Sequence, residues 1–273
     1  MPGTAALRNI FAANRSMGRV ALHVGAKRGV TRRIRVAEDG PLRVRFPGPD
    51  SANLEAMIVN TAGGVAGGDR HGLDIAASEG AHLVVTTAAA EKVYRSLGPD
   101  AEIDIRLRAA KGARLAWLPQ ETILFDRARL ARRIEVDVAE GASLIMAEAV
   151  VFGRSAMGEM VDEGSLSERW RLRRDGGLVF AETVRLDGPI SRRLGEPAVA
   201  NGGVAIATVL AVPGDETAAD RVRALSFCGE VGISVWNGLA VARLCAKDGA
   251  ALRRDLAAVL TALGGELPRL WIN

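Results

Sequence analysis

The feature that most limits what this chain can fold into is a short pattern that returns along its middle. An alternating apolar run meets a turn ending in glycine, and a second short apolar run follows. The copies are Leu73-Asp74-Ile75 leading to Glu79-Gly80-Ala81-His82-Leu83, Ile103-Asp104-Ile105-Arg106-Leu107 leading to Lys111-Gly112-Ala113-Arg114-Leu115, and Ile134-Glu135-Val136-Asp137-Val138 leading to Glu140-Gly141-Ala142-Ser143-Leu144. A looser fourth runs from Trp170-Arg171-Leu172 to Asp175-Gly176-Gly177-Leu178, and the glycine-to-glycine steps are 32, 29 and 35 residues. That spacing is irregular but centred on a solenoid-like period. Period-2 alternation puts Ile103, Ile105 and Leu107 on one face and Asp104, Arg106 and Arg108 on the other, so each strand needs a neighbour over its apolar side. The expected fold is mainly β: a stacked-strand, β-helix or solenoid-like framework whose units are β-arches or hairpins. A plain sandwich is the alternative.

Helix signals come late. Thr217 to Asp220 resembles a capping box opening a short helix, and Leu252, Leu256, Val259, Leu260 and Leu263 form one apolar face closed by Gly264-Gly265. These two C-terminal α-helices are expected to pack on the β body. Between them, Ile233 to Trp236 and Leu239 to Leu244 read as a hairpin around Asn237-Gly238. No linker divides residues 1–273, so one domain is expected, and 48% apolar content suffices for its core.

Charge and cysteine usage narrow the function classes. Only four of the 36 basic residues are lysines, the arginines alternate with acids, and aromatics make up 4% of the chain. Nucleic-acid binding wants clustered charge with stacking rings, so it is disfavoured, whereas scattered arginine suits protein interfaces. Cys228 and Cys245 are too few for a disulfide framework, and no signal segment precedes residue 20, which points to the cytoplasm. No apolar run reaches the roughly 20 residues of a spanning helix, so no membrane anchor is expected.

A search for chemistry finds more acids than nucleophiles. There is no Gly-x-Ser-x-Gly elbow, His-Glu-x-x-His pair or Cys-x-x-Cys. Gly63, Gly64, Gly67 and Gly68 fall between the strand Leu54 to Val59 and Asp69, but no Gly-Lys-Ser/Thr follows and the segment opens a strand. A tight turn or close backbone approach fits better than a phosphate loop. Of the histidines His23, His71 and His82, the last two flank one strand and could share a site, but isolated histidines on strands are more often surface or satisfied core residues. Glu121 lies on a face shared with Ile123 and Phe125, where burying an acid is costly unless a cation or donor meets it. An arginine such as Arg127 or Arg129, or a metal or partner, would serve.

Three long segments then stand out together: Gly63-Gly64-Val65-Ala66-Gly67-Gly68-Asp69-Arg70; Thr86-Thr87-Ala88-Ala89-Ala90-Glu91-Lys92-Val93-Tyr94-Arg95-Ser96; and Trp117-Leu118-Pro119-Gln120-Glu121-Thr122-Ile123-Leu124-Phe125-Asp126. In this order they resemble the UreD (UreH) urease accessory family, and the likeness continues through Gly153-Arg154 and Gly158-Glu159 to Pro268-Arg269-Leu270-Trp271. The resemblance implies a non-enzymatic chaperone that binds apo-urease and works with a helical partner, UreF, and a GTPase, UreG, to load nickel. It also implies a mostly β fold with two helices and an internal path for the metal. Asp69, Glu121, Asp126 and Glu148 then become candidates for weak transient Ni²⁺ sites, since that ion accepts carboxylate, water and imidazole. No cofactor of the chain's own is implied. By the same likeness Lys92, Tyr94, Arg95, Gln120, Arg154 and Glu159 fix the fold or face a partner. Thr61 and Ala62 stand where prolines are usual, Ala88 where glutamine is, and His71 replaces an apolar residue. The alternatives from other classes are a β-solenoid glycosidase using Glu121 and Asp126, and a small-ligand module using the glycine loop.

Overall fold

The computed structural model describes residues 15–48, 53–154 and 157–272, and these form two stacked sheets with helices on one outer face. Sheet A has seven strands in the order β14 (Gly177–Gly188), β13 (Gly164–Arg174), β11 (Arg129–Val138), β8 (Ala101–Ala109), β5 (Arg70–Ala77), β1 (Met17–Lys27) and β2 (Val30–Asp39). Sheet B runs β16 (Glu230–Trp236), β17 (Leu239–Ala246), β15 (Ala205–Val212), β12 (Ser143–Phe152), β9 (Arg114–Trp117), β6 (His82–Thr87), β4 (Asn53–Asn60) and β3 (Leu42–Arg45). Two short strands join it off this path, β10 (Thr122–Leu124) beside β12 and β7 (Glu91–Val93) beside β10.

The repeat explains this arrangement. In its first three copies a strand of sheet A turns through a glycine and continues as a strand of sheet B, as β5 to β6, β8 to β9 and β11 to β12, so these units are arches. Gly80, Gly112 and Gly141 hold φ of 65°, 65° and 73°, a backbone region that glycine enters without the penalty a Cβ brings. The alanine after each is buried. Successive arches stack in parallel register, aligning Ile75 with Leu107, Leu107 with Val136, and Val136 with Leu172 across four strands. The expected solenoid-like stack is therefore present. The looser fourth copy differs, because β13 and β14 form an antiparallel hairpin within sheet A and end the stack. At the opposite side the hairpin β1–β2 does the same.

Apolar side chains of the inward register fill the space between the sheets, while Asp104, Arg106 and Arg108 of β8 point out to solvent. A second core lies on the far side of sheet B, under helices α2 (Glu216–Arg223), α3 (Gly249–Ala262) and α4 (Arg269–Ile272). Leu252, Leu256, Val259 and Leu260 are buried there as their spacing predicts. The cap of α2 is Asp215 rather than Thr217: its backbone is extended, and its carboxylate accepts from the Ala218 N–H at 2.7 Å. A short α1 (Ile190–Leu194) inserts Ile190 and Leu194 into the inter-sheet core. Asn237 and Gly238, at φ 51° and 70°, form the expected two-residue turn between β16 and β17. Among the described residues no helix is long and apolar enough to cross a membrane.

Candidate functional site

Two rows of the inter-sheet register differ sharply. Leu73, Ile105, Ile134 and Trp170 align across sheet A as an apolar row, and two positions nearer the glycine-loop end the aligned residues are His71, Ile103, Arg132 and Glu168. His71, Arg132 and Glu168 are buried, as is Glu148, which reaches the same layer from β12 of sheet B. Arg132 holds the group together. Its Nη1 donates to Glu148 Oε2 at 2.7 Å and to Thr122 Oγ1 at 3.0 Å. Its Nε donates to Glu168 Oε2 at 2.8 Å, and Nη2 engages the same oxygen. Two indoles complete the carboxylates: Trp117 Nε1 donates to Glu148 Oε1 at 2.7 Å, and Trp170 Nε1 to Glu168 Oε1 at 2.9 Å.

Electrostatics make this layer responsive near neutral pH. Burial pushes the Glu148 carboxyl from 4.5 up to about 7, the charge of Glu168 pushes the same way, and Arg132 and the Trp117 N–H oppose. Glu91 of β7, nearer the loop end, is also raised to about 7 by burial and Asp69, although the Asn60 amide and Arg132 oppose. That amide donates to both Glu91 oxygens, at 3.1 and 3.2 Å. Burial pulls Arg132 down, but Glu148 and Glu168 more than reverse this, so the guanidinium stays charged. Burial lowers His71 against the pull of Asp69, which favours the neutral ring. Three carboxyls thus face one guanidinium, and such a buried group adds little net stability compared with an apolar filling.

The glycine loop closes the layer at one end. A Cβ on Gly67 would lie 2.0 Å from Ser96 Oγ and 2.4 Å from the Pro99 carbonyl, and one on Gly64 2.7 Å from the Lys92 carbonyl. Close approach is what these two glycines permit, while Gly63 and Gly68 supply positive φ of 77° and 92°. Asp69 fastens the loop: Oδ2 accepts from Ala66 N and Oδ1 from Ser16 N, both at 2.8 Å. Ser16 Oγ in turn lies 3.4 Å from His71 Nε2.

The four acids singled out from sequence lie in separate surroundings. Glu148 sits among the ionisable side chains between the sheets, and buried Asp69 lies at the loop end of that layer, close enough to act on His71 and Glu91. Glu121 accepts from Arg253 Nη1 of α3 at 2.6 Å, so its arginine is neither Arg127 nor Arg129. Glu121 lies in the link between β9 and β10, and its carboxylate reaches the helices. Gln120 Oε1 shares that guanidinium, which also stacks 4.9 Å from the Trp271 ring. Asp126 Oδ1 accepts from the backbone of Asp162 and Glu163 at 2.9 and 3.1 Å and so fixes a loop. Among the described residues no group of three or more His, Cys, Asp or Glu is arranged to hold a metal ion.

Other motif residues surround the loop end. Tyr94 donates to the Gly63 carbonyl at 2.9 Å and meets Phe125 edge-on at 5.3 Å. Arg154 stacks 4.3 Å over Phe125 and binds Glu159 through two hydrogen bonds of 2.8 and 2.9 Å. Lys92 and Arg95 are exposed. Sequence reasoning missed Arg132 and Glu168 as members of the layer, and passed over Glu91.

The fold and this layer define a class: a scaffold of stacked β-arches enclosing ionisable side chains between its sheets. Residues 16–271 match the family described as UreD urease accessory protein. A Rhodopseudomonas palustris protein named urease accessory protein UreD is 62% identical over 266 residues, covering 97% of this chain and 93% of its own length. A namesake from Bradyrhizobium diazoefficiens is 58% identical over 267 residues, covering 97% of both chains. UreD 3 of a Bradyrhizobium species is 57% identical over 275 residues, covering 100% and 99%. The chain belongs to the UreD urease accessory protein family.

Proposed function

We propose that this chain is a non-catalytic cytoplasmic scaffold for urease maturation. It binds apo-urease together with the accessory proteins UreF and UreG, and it passes nickel along the polar layer between its sheets. The family membership supports the maturation role. The observation that carries the nickel reading is the acid layer between the sheets, in which buried Glu148 and Glu168, with half-buried Glu91 near its loop end, outnumber the single guanidinium of Arg132. Nickel here is cargo. A carboxyl must give up its proton to bind a divalent cation, so nickel uptake at Glu91 or Glu148, both raised to about 7, is coupled to proton release near neutral pH. An interior path also favours several weak sites over one tight cage, because cargo must leave as well as enter. Glu91, Glu148 and Glu168 are the groups to which this role is assigned.

The glycosidase reading loses its proposed acid pair, because Glu121 is bound by Arg253 and Asp126 by backbone N–H groups. The decisive experiment is urease activity in cells lacking the chain, at ordinary and at excess nickel. Activity is expected to collapse at ordinary nickel and recover in part with excess, whereas full activity at ordinary nickel overturns the reading.

A further inference from the structure

The Arg132 guanidinium occupies a place built for a cation. Three oxygens from both sheets converge on it: Glu148 Oε2 of β12 at 2.7 Å, Thr122 Oγ1 of β10 at 3.0 Å, and Glu168 Oε2 of β13 at 2.8 Å from Nε. The other oxygen of each carboxylate is held separately, by Trp117 Nε1 at 2.7 Å and by Trp170 Nε1 at 2.9 Å. The indoles therefore keep both carboxylates oriented whether or not the guanidinium is there, with their Oε2 atoms facing its position. Two carboxylate oxygens and a hydroxyl make a hard and incomplete donor set. It suits a divalent ion that keeps part of its water, and it is too sparse for a tight cage. Left open, such oxygens would take manganese or magnesium as readily as any cargo ion. The guanidinium, tethered and always charged, denies them the place.

A further carboxylate lies beside this position. Glu91 of β7 pairs in register with Thr122 of β10, and registered neighbours of a parallel pair share a face about 4.8 Å apart. Its charge acts on Arg132 as well, after those of Glu148 and Glu168. From its place at Thr122 the guanidinium needs to travel on the order of one strand spacing to meet Glu91. That movement is toward the glycine loop and away from Glu148 and Glu168.

We propose that Arg132 is a resident stand-in cation, which keeps the oxygens of Glu148, Glu168 and Thr122 closed to stray divalent ions and yields them to nickel by moving over to Glu91. Entry then requires an ion that competes with the guanidinium for those oxygens, and nickel outranks manganese and iron(II) in affinity for such donors. The inference rests on the reading of this layer as a nickel path, and it assigns the residue that decides which ions enter.

The test follows thermal melting of the full chain against added nickel chloride or manganese chloride. The wild type is compared with Arg132→Met and with the triple variant Arg132→Met, Glu148→Gln, Glu168→Gln. The wild type is expected to ignore manganese. Arg132→Met is expected to melt lower without metal, to regain most of that loss with either ion, and to bind nickel roughly tenfold or more tightly than the wild type. The triple variant is expected to fold and to respond to neither metal. An Arg132→Met chain that neither metal stabilises, or that stays unfolded in their presence, overturns the inference. Equal metal responses in the wild type and Arg132→Met, or a response that survives in the triple variant, overturn it too. Full nickel loading of urease in cells whose chain carries Glu91→Gln and Glu148→Gln overturns the path reading instead, whatever the melting experiment returns.

Discussion

Replacing Arg132 with methionine removes the one positive charge among the buried carboxyls while keeping much of the side-chain volume. The guanidinium engages Glu148, Glu168 and Thr122, and both carboxylates lose their counter-charge together. Breaking a buried pair from one side costs about 3–5 kcal/mol, because the remaining charge stays desolvated. The pH dependence follows. A carboxyl whose folded-state pKa exceeds its unfolded value binds more protons when folded, so its burden is absent well below the unfolded pKa and complete above the folded one. In the wild type, Glu148 rises from 4.5 to about 7, already equivalent to about 3 kcal/mol at high pH. Without Arg132 the Glu148 carboxyl rises further, so the deficit of Arg132→Met relative to wild type should be largest at about pH 8 and shrink toward pH 5. Urea unfolding followed by tryptophan fluorescence measures this, since Trp117 and Trp170 bond to the affected carboxylates. Adding Glu148→Gln and Glu168→Gln should restore most of the stability. A deficit under about 1 kcal/mol, or one that does not change with pH, refutes the reasoning.

Three further outcomes are expected. Gly67→Ala brings a Cβ against Ser96 and the Pro99 carbonyl and should cost about 1–3 kcal/mol by overpacking; Gly63→Ala, in open space, should cost only its positive φ, and thermal melting compares the two. Asp255→Ala removes the acceptor of the Cys228 and Gly229 N–H groups at 2.9 and 2.7 Å, which should cost about 2–3 kcal/mol and speed amide exchange at both positions. Arg253→Ala frees Gln120, Glu121 and the Trp271 ring together, so limited proteolysis should cut near α4 while the stack stays intact.

How far the sequence disclosed this structure depends on the residue. The arches were legible because alternation and a glycine-alanine step repeat at Gly80, Gly112 and Gly141, and local chemistry alone specifies each turn. The fourth copy looked alike but closes as a hairpin, since which sheet a strand joins is decided by neighbours rather than by the turn. Glu148 was found through its motif. Arg132 and Glu168 were not, although each sits in the inward register of an alternating strand, between Leu130 and Ile134 and between Leu166 and Trp170. A basic residue at an apolar position of one repeat and an acid at that of the next was the available signal. Glu121 was placed on the right kind of surface with the wrong arginine, because Arg253 lies 132 residues away in sequence.

The central claim is that the carboxyls between the sheets handle nickel on a scaffold that others bind. It is tested most directly by the nickel content of urease purified from cells whose only copy of this chain carries Glu91→Gln and Glu148→Gln. With partner binding and folding at wild-type levels, nickel per urease active site should fall roughly tenfold or more at ordinary nickel supply. Full nickel loading by this folded, partner-bound variant contradicts the account.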